Sequence, residues 1–521
     1  MAYIQKVKLK NFKKFSEYEV PLTEDRNVLI GDNEAGKSTI LTAIELVLSG
    51  SIGKVDSIGI DALLNANAVS DFLSSEKKIE DLPTLYIEIY LNDTGNPDLN
   101  GKNNSDNVNA DGLQLICEPN EELSKEIQDV LKAEGDNFPF EFYVSRFTTF
   151  SGDSYSGYRK FLRYLSIDST QINSEYANTQ YVKAMYEAIV DQPLRYRLKN
   201  EYRKQKSAFK DNHLKELNDG IDSYDFEIRS GSKFNLETDL TLTEDGIPIE
   251  HRGKGKQCFI KTAFALRERE EGKTIDVLLL EEPENHLSHT SMNRLIGQVE
   301  KAHNNQVIIA THSSLISSRL DLRKSILLNS SANRPAILKD LTDQTAKFFM
   351  KAPNHNILEL VLSKKAILVE GDAEYILMES LYKNVKGTHP ADDGVHIISV
   401  GGTSFKRYME VSKILNIKTV IIRDNDKDYQ KNCIDNYAGY LNKYIKVYAD
   451  QNNQRYTFEV CMYQDNKIIC DKLFTKGKIK LTPQEYMLSN KTTAAFKLLD
   501  EKEDELNVPK YIKEAIEWIS K

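Results

Sequence analysis

The stretch that most constrains this chain is Gly31-Asp-Asn-Glu-Ala-Gly36-Lys37-Ser38, set between a short strand-like run at 27–30 and an apolar helical stretch, Thr39–Leu48. A glycine-rich turn between a strand and a helix aims backbone N–H groups and the helix N-terminus at one point, which is how a phosphate loop cradles a nucleotide. Lys37 is then expected to hold the β- and γ-phosphates of ATP and Ser38 a Mg²⁺ ion, with Asn33, Gly36 and Thr39 completing the cradle. Such a loop commits this part of the chain to an α/β fold with a parallel sheet.

Two later strands supply the rest of a nucleotide site. Val277–Leu280 runs into Glu281-Glu282-Pro283-Glu284, placing two carboxylates at the sheet edge where the phosphate loop lies. Glu281 is expected to support the Mg²⁺ shell through water, and Glu282 to polarise the attacking water. Val307–Ala310 runs into Thr311-His312-Ser313, with His312 as a γ-phosphate sensor; alone it would read as a helix-start histidine. The order of these motifs resembles the ABC/SMC-type ATPases. That class implies a signature loop reaching a partner subunit's ATP, and Arg252-Gly-Lys-Gly255-Lys-Gln257 resembles one, with Gly253 and Gly255 allowing close approach to phosphate and Gln257 beside them.

A second carboxylate set follows and has no phosphate loop of its own. Ile367-Leu-Val-Glu370-Gly-Asp-Ala-Glu374 puts one carboxylate directly off a buried strand and another one helical turn on, on the same face. Lys418–Ile422 leads into Asp424-Asn-Asp426, and Val400-Gly-Gly402 lies between the two. Carboxylates at two strand ends of one sheet can converge on Mg²⁺ or Mn²⁺, which take oxygen ligands. This reads as a divalent-metal site acting on a polynucleotide backbone.

At 521 residues the chain is long enough for two or three domains. The expected layout is an ATPase over 1–154 and 233–345, a helical insertion at 155–232 for dimerisation, a linker helix at 346–362 and a second α/β domain at 363–521. Thr84–Leu91 and Leu113–Cys117 read as a long hairpin with a floppy Asn/Asp/Gly-rich tip, Phe234–Leu242 as a strand, Gly246-Ile-Pro248 as a turn, and 444–480 as weak strands. The net charge of −9 does not favour nucleic acid, yet basic strips remain, the richest from Arg195 to Lys215. That strip reads first as a solvated helix face. Five cysteines without a C-x-x-C pair argue against a zinc ribbon or disulfide framework, and no apolar run approaches the ~18 residues of a membrane span. A cytoplasmic protein without a membrane partner is expected.

The second set resembles a Toprim domain, and its fusion behind an ABC-type ATPase resembles the OLD (overcoming lysogenization defect) family, which includes Gabija nucleases and retron-associated effectors. The resemblance implies a late acidic residue and a following lysine, for which Glu485 and Lys491 are the nearest matches. It further implies an ATP-regulated, metal-dependent DNA endonuclease acting in anti-phage defence. Glu370, Asp424, Asp426 and Lys491 would be catalytic there, with Glu374 and Glu485 as flanking metal ligands. Implied partners are DNA, a second or further copy of the chain, and an operon-encoded reverse transcriptase with retron DNA, or a helicase. The rival is an SMC-like DNA-binding ATPase with a non-catalytic Toprim domain. A topoisomerase lacks a DNA-gate domain here, and a primase would usually want a zinc module.

Overall fold

The structure is a computed structural model describing residues 2–521 apart from 134–136, 158–160, 171–174, 220, 222–223, 232–233, 267–274, 303–304, 329–333, 352–356, 403 and 476–480. The junction expected at 232–233 and residues 352–356 of the expected linker helix lie outside the described residues. The chain forms two compact units: Met1–Ile316 with Leu328–Pro335, and Ser317–Leu327 with Ala336–Lys521.

The first unit opens with strands β1 (Ile4–Phe12), β2 (Phe15–Pro21) and β3 (Arg26–Ile30), then helix α1 (Lys37–Ser49). An antiparallel sheet takes β1 and β2 together with β4 (Leu85–Leu91), the two-residue β5 (Asn100–Gly101), β6 (Ala110–Pro119) and β7 (Tyr143–Thr149). The stretch expected to be a floppy tip is instead tied down. Asp111 accepts from Thr94 and Asn100, and Glu88 accepts from Ser105. Asp106 pairs with Lys6 and Lys8. Short polar side chains that suit turns also satisfy backbone donors, so the sequence signal for a loop does not distinguish a loose tip from a laced one.

A parallel sheet in the order β3, β12, β11, β8 carries the nucleotide motifs, with β8 spanning Tyr164–Asp168, β11 Val277–Glu281 and β12 Gln306–Ala310. Strand β8 lies inside the segment expected to be wholly helical; its alternating Tyr164-Leu-Ser-Ile-Asp168 pairs along β11. The helical pair begins after it, as α2 (Glu175–Ile189) and α3 (Gln192–Phe209), with Pro193 in the first turn of α3. Phe234–Leu242 is not a strand. Asn235 and Thr238 form a capping box that starts a short helix, α4 (Leu236–Asp239), and local capping there overrides the apolar alternation. Beyond it, β9 (Thr243–Glu244) and β10 (Ile247–Pro248) pair around Asp245-Gly246, both with positive φ, as a two-residue hairpin turn demands. Helix α5 (Lys254–Ala265) follows.

In the second unit, β13 (Lys365–Val369), β14 (Val395–Ser399), β15 (Lys418–Ile422) and β16 (Ile445–Tyr448) form a parallel sheet in the order β14, β13, β15, β16. Ala366 to Val369 are wholly buried, as a central parallel strand covered on both faces requires. Helix α6 (Asp372–Lys386) packs on this core and stops at Gly387 in the left-handed region. The expectation of strands over 444–480 holds only for β16. Among the described residues beyond it, a turn-rich stretch leads into α7 (Phe458–Asp465), capped by Thr457, and α8 (Lys467–Phe474). Residues 458–462 are all buried, so α7 shows no helical stripe to read. Helices α9 (Pro483–Ser489), α10 (Lys491–Lys502) and α11 (Lys510–Ser520) complete the unit.

Candidate active site

Both candidate sites sit where parallel strands end. In the first unit, a cavity of about 530 Å³ brings Asn33, Gly36, Lys37, Ser38 and Thr39 together with Glu282 and His312. Its size suits a nucleotide. Gly36 has φ 101°, and a Cβ there would fall 2.4 Å from the Phe15 ring, so this turn admits only glycine. Lys37 donates to the carbonyls of Gly31 (2.8 Å) and Asp32 (3.0 Å). Burial lowers its pKa, against the fields of Glu282, Asp32, Glu284 and Glu281. Ser38 hydrogen-bonds Glu281, whose carboxyl is raised above its ordinary range by burial.

Glu282 adopts φ 43°, held by its N–H on the Ala310 carbonyl and by Asn285 on its carboxylate. Its Oε1 lies 3.6 Å from His312 Nε2. Glu284 is the brace, accepting from the Thr311 hydroxyl and the His312 N–H, which locks the ends of β11 and β12 together. Strain at Glu282, the residue expected to polarise water, is the kind of backbone cost that accompanies function.

Gly253, Gly255 and Gln257 do not line this cavity. Gly253 caps α5 with open space around it, whereas a Cβ on Gly255 would fall 2.4 Å from the His286 carbonyl oxygen. Gly255 is thus required within the fold, and Gln257 is buried with its amide on the Arg252 carbonyl. Three lining residues were not among the expected site residues, Glu34 within the loop itself and two lysines outside it. Lys13 and Lys14, at the β1–β2 turn, add positive charge to the cavity wall. Their signal was a Lys-Lys pair in a turn where Asn11 and Lys13 take positive φ.

In the second unit, Glu370 follows β13, and its carbonyl accepts from the N–H of Gly402 (2.8 Å), so the Gly401-Gly402 turn fixes its place. Glu374, in the first turn of α6, and Asp424, beyond β15, are both buried. Asp424 Oδ1 accepts from the Phe458 N–H at the start of α7 (2.6 Å). This brings Glu459 into the group, with Lys491 Nζ 3.1 Å from its Oε1. Asp426 is half-exposed, has φ 48°, and pairs with the buried Arg423 at 2.7 Å.

The electrostatics describe one cluster. Burial raises Asp424 to about 8, helped by repulsion from Glu374, Glu459 and Glu370. Burial likewise raises Glu374 to about 7 and lifts Glu370. Lys491 moves upward because Glu459, Asp424 and Glu374 together outweigh its own burial. Glu485 takes no part. It caps its own helix, accepting from the Thr482 N–H and hydroxyl, and its pKa falls for that reason. The acid that stands beside Lys491 and the other carboxylates is Glu459 rather than Glu485, and its only sequence signal was a lone acid two residues after Thr457.

Among the described residues, no three His, Cys, Asp or Glu side chains stand close enough together, as placed, to hold a metal ion. The donor set nevertheless fits a hard cation. Glu370 Oε2 and Glu459 Oε2 are buried without a hydrogen-bond partner, and mutually repelling buried carboxylates gain most from a positive ion. Glu370, Glu374, Asp424 and Glu459 are the residues that could hold one, whereas Asp426, also expected as a ligand, is engaged by Arg423.

Fold and sites together define an ATPase domain joined to a Toprim domain. Comparison with known proteins agrees: the family described as "Overcoming lysogenization defect protein-like, TOPRIM domain" matches residues 361–426, an AAA ATPase domain family matches 2–93, and a further AAA domain family matches 180–318. The chain is similar to the endonuclease GajA of Bacillus cereus, at 22% identity over 82% of this chain and 75% of that one. It is also similar to the Old nuclease of Escherichia phage P2, at 25% identity over 34% of this chain and 33% of that one, so that match spans a third of the relative's length. The C-terminal region of the Burkholderia pseudomallei OLD protein aligns with 30% of this chain and 97% of its own at 19% identity, with a TM-score of 0.23. The similarity to GajA spans most of the chain, and the family models match parts of both the ATPase and the Toprim regions.

Proposed function

We propose that this protein is an ATP-regulated, divalent-metal-dependent DNA endonuclease. The observation that carries the reading is the buried cluster of Glu370, Glu374, Asp424 and Glu459 with Lys491 beside it, on a Toprim sheet whose named relatives are nucleases. A divalent cation such as Mg²⁺ or Mn²⁺, if held by these carboxylates, would supply Lewis-acid activation of a phosphodiester and of a bound water. The chain's own contribution is placement. Asp424 is fixed by the α7 backbone, Glu370 by Gly402, and Lys491 brings a positive charge to the edge of the cluster. ATP would be held by Lys37 and Ser38 and act as the regulator, with Glu282 and His312 lining the same cavity.

We extend the reading to anti-phage defence, with an operon-encoded reverse transcriptase and retron DNA or a helicase as partner, on the resemblance to the OLD family. Self-association through the helical pair is supported by the exposure of Leu194, Leu198 and Phe209 on α3; light scattering at micromolar concentration tests it. Asp424→Ala and Glu370→Ala are expected to abolish Mg²⁺- or Mn²⁺-dependent cleavage of plasmid DNA while ATP binding is retained. Nicking at the wild-type rate by both variants would favour a Toprim domain without catalysis.

A further inference from the structure

The end of the Toprim sheet opposite the carboxylates carries a concentration of charge that the nuclease chemistry does not use. Lys365 opens β13, Lys418 opens β15 in register with it, and Lys446 is the second residue of β16. These strands are parallel, so their N-terminal ends lie about 15 Å, one five-residue strand, from the ends bearing Glu370 and Asp424. Trp518, in the last turn of α11, gathers the group: Lys418 Nζ lies 4.9 Å and Lys446 Nζ 5.1 Å from its ring centroid. Lys365 Nζ donates to the Ser520 carbonyl at 3.1 Å. Burial, then the fields of Lys365, Lys446 and Lys521, lower the pKa of Lys418, so the ammonium groups repel one another where they stand. Among the described residues none of Lys365, Lys418 and Lys446 forms an ion pair with a carboxylate. Asp393, whose field reaches Lys365, spends its oxygen on Tyr382 and Thr388, and Glu514 of α11 pairs with Lys510.

Ammonium groups that lack a paired carboxylate, two of them held on one aromatic face and the third on a helix-end carbonyl, are positive charge kept in place by structure in a chain of net charge −9. We propose that Lys365, Lys418 and Lys446, organised by Trp518, bind the phosphate backbone of nucleic acid at a second site on the Toprim domain, away from the carboxylate cluster. The proposal rests on the nuclease reading only for the identity of the polyanion. DNA engaged there would be anchored while another stretch is cut, and phosphates would replace the missing carboxylates.

Trp518 is the chain's only tryptophan, so its emission reports this site directly. The experiment titrates the full-length protein in EDTA with a single-stranded and a duplex oligodeoxynucleotide, following tryptophan fluorescence at several salt concentrations. Either DNA form is expected to change the emission. Lys418→Gln/Lys446→Gln is expected to weaken that response at least tenfold and to reduce the slope of log affinity against log salt by about two, one per lost phosphate contact. Lys446→Gln alone, at an exposed position, gives the same direction if the double variant is poorly folded. An unchanged emission with both DNA forms, an unchanged salt slope in the variants, or equal binding of polyglutamate at matched charge would overturn the proposal. Asp424→Ala separates the two claims, since it should bind at Trp518 like wild type, whereas an absence of cleavage by wild type would sink the nuclease reading and leave this measurement standing.

Discussion

Lys491 Nζ sits 3.1 Å from Glu459 Oε1, tying the first residue of α10 to the first turn of α7 across the mouth of the carboxylate cluster. The pair gives a cation-binding group a resident positive charge, and makes Glu459 an unanticipated member of the site.

Glu459 and Glu485 are therefore expected to separate cleanly on substitution. Glu459→Gln should reduce metal-dependent cleavage roughly 100-fold, the scale of losing a metal ligand or its close support. Glu485→Gln should cleave like wild type and show only a small drop in thermal stability, since glutamine can still close the capping box and only the negative charge at the helix N-terminus is lost. Cleavage rates measured across a Mn²⁺ titration decide between them, and a dead Glu485→Gln beside an active Glu459→Gln would restore the sequence-based assignment.

Stability should depend on pH through the same cluster. Asp424 at about 8 and Glu374 at about 7 keep protons in the folded chain that the unfolded chain gives up near pH 4. A folded state that binds more protons loses stability as pH rises, so this contribution is whole below about pH 4 and is gone once pH passes about 8. In EDTA the melting temperature is expected to fall between about pH 4 and about pH 8 and to level off above that. Added Mg²⁺ should raise it more at the higher pH, where fewer protons compete with the cation. Asp424→Asn should flatten the EDTA profile and shrink the Mg²⁺ gain; equal gains at both pH values in wild type would contradict the cluster.

The two glycines of the proposed signature loop should behave differently. A methyl at 255 meets the His286 carbonyl oxygen at 2.4 Å, so Gly255→Ala is expected to lower thermal stability and, by displacing the loop, to slow ATP hydrolysis roughly 10- to 100-fold. Nothing lies within 4 Å of a methyl at 253. Gly253→Ala should melt like wild type yet lose hydrolysis, because its space is needed for a partner's nucleotide. Normal phosphate release from Gly253→Ala would remove the loop's assigned role.

ATP control is tested at the other end of the nucleotide. Lys37→Ala should make cleavage indifferent to ATP, and Glu282→Gln should hold the ATP-bound response by blocking hydrolysis. The assay keeps free Mg²⁺ constant across the ATP titration, since ATP also chelates the metal. Identical ATP responses from wild type and Lys37→Ala would mean that the two chemistries share a chain and nothing more.

What the sequence disclosed was chemistry anchored to unbroken apolar runs. Ile367 to Val369 leads straight into Glu370, and Val277 to Leu280 into Glu281 and Glu282, so strand, edge and carboxylate are read together. Strand β8 was hidden because Tyr164-Leu-Ser-Ile-Asp168 is short and gains its meaning only from pairing with β11. Glu459 was hidden because the first five residues of α7 are all buried and show no stripe, and Glu485 was favoured because it stands near the late acidic position that the family resemblance implies, although there it caps its own helix. Lys13 and Lys14 reach the nucleotide cavity through a turn, and no periodicity announces that.

The inward bonding of Lys37 has a thermodynamic corollary. Its ammonium is already satisfied by the carbonyls of Gly31 and Asp32, so the loop keeps its shape by itself. Nucleotide capture is then an exchange of hydrogen bonds, and little chain entropy is lost when phosphate arrives. Tight grip on the β-phosphate would come equally to ATP and ADP, leaving discrimination between fuel and product to the far end, where Glu282 and His312 face each other at 3.6 Å.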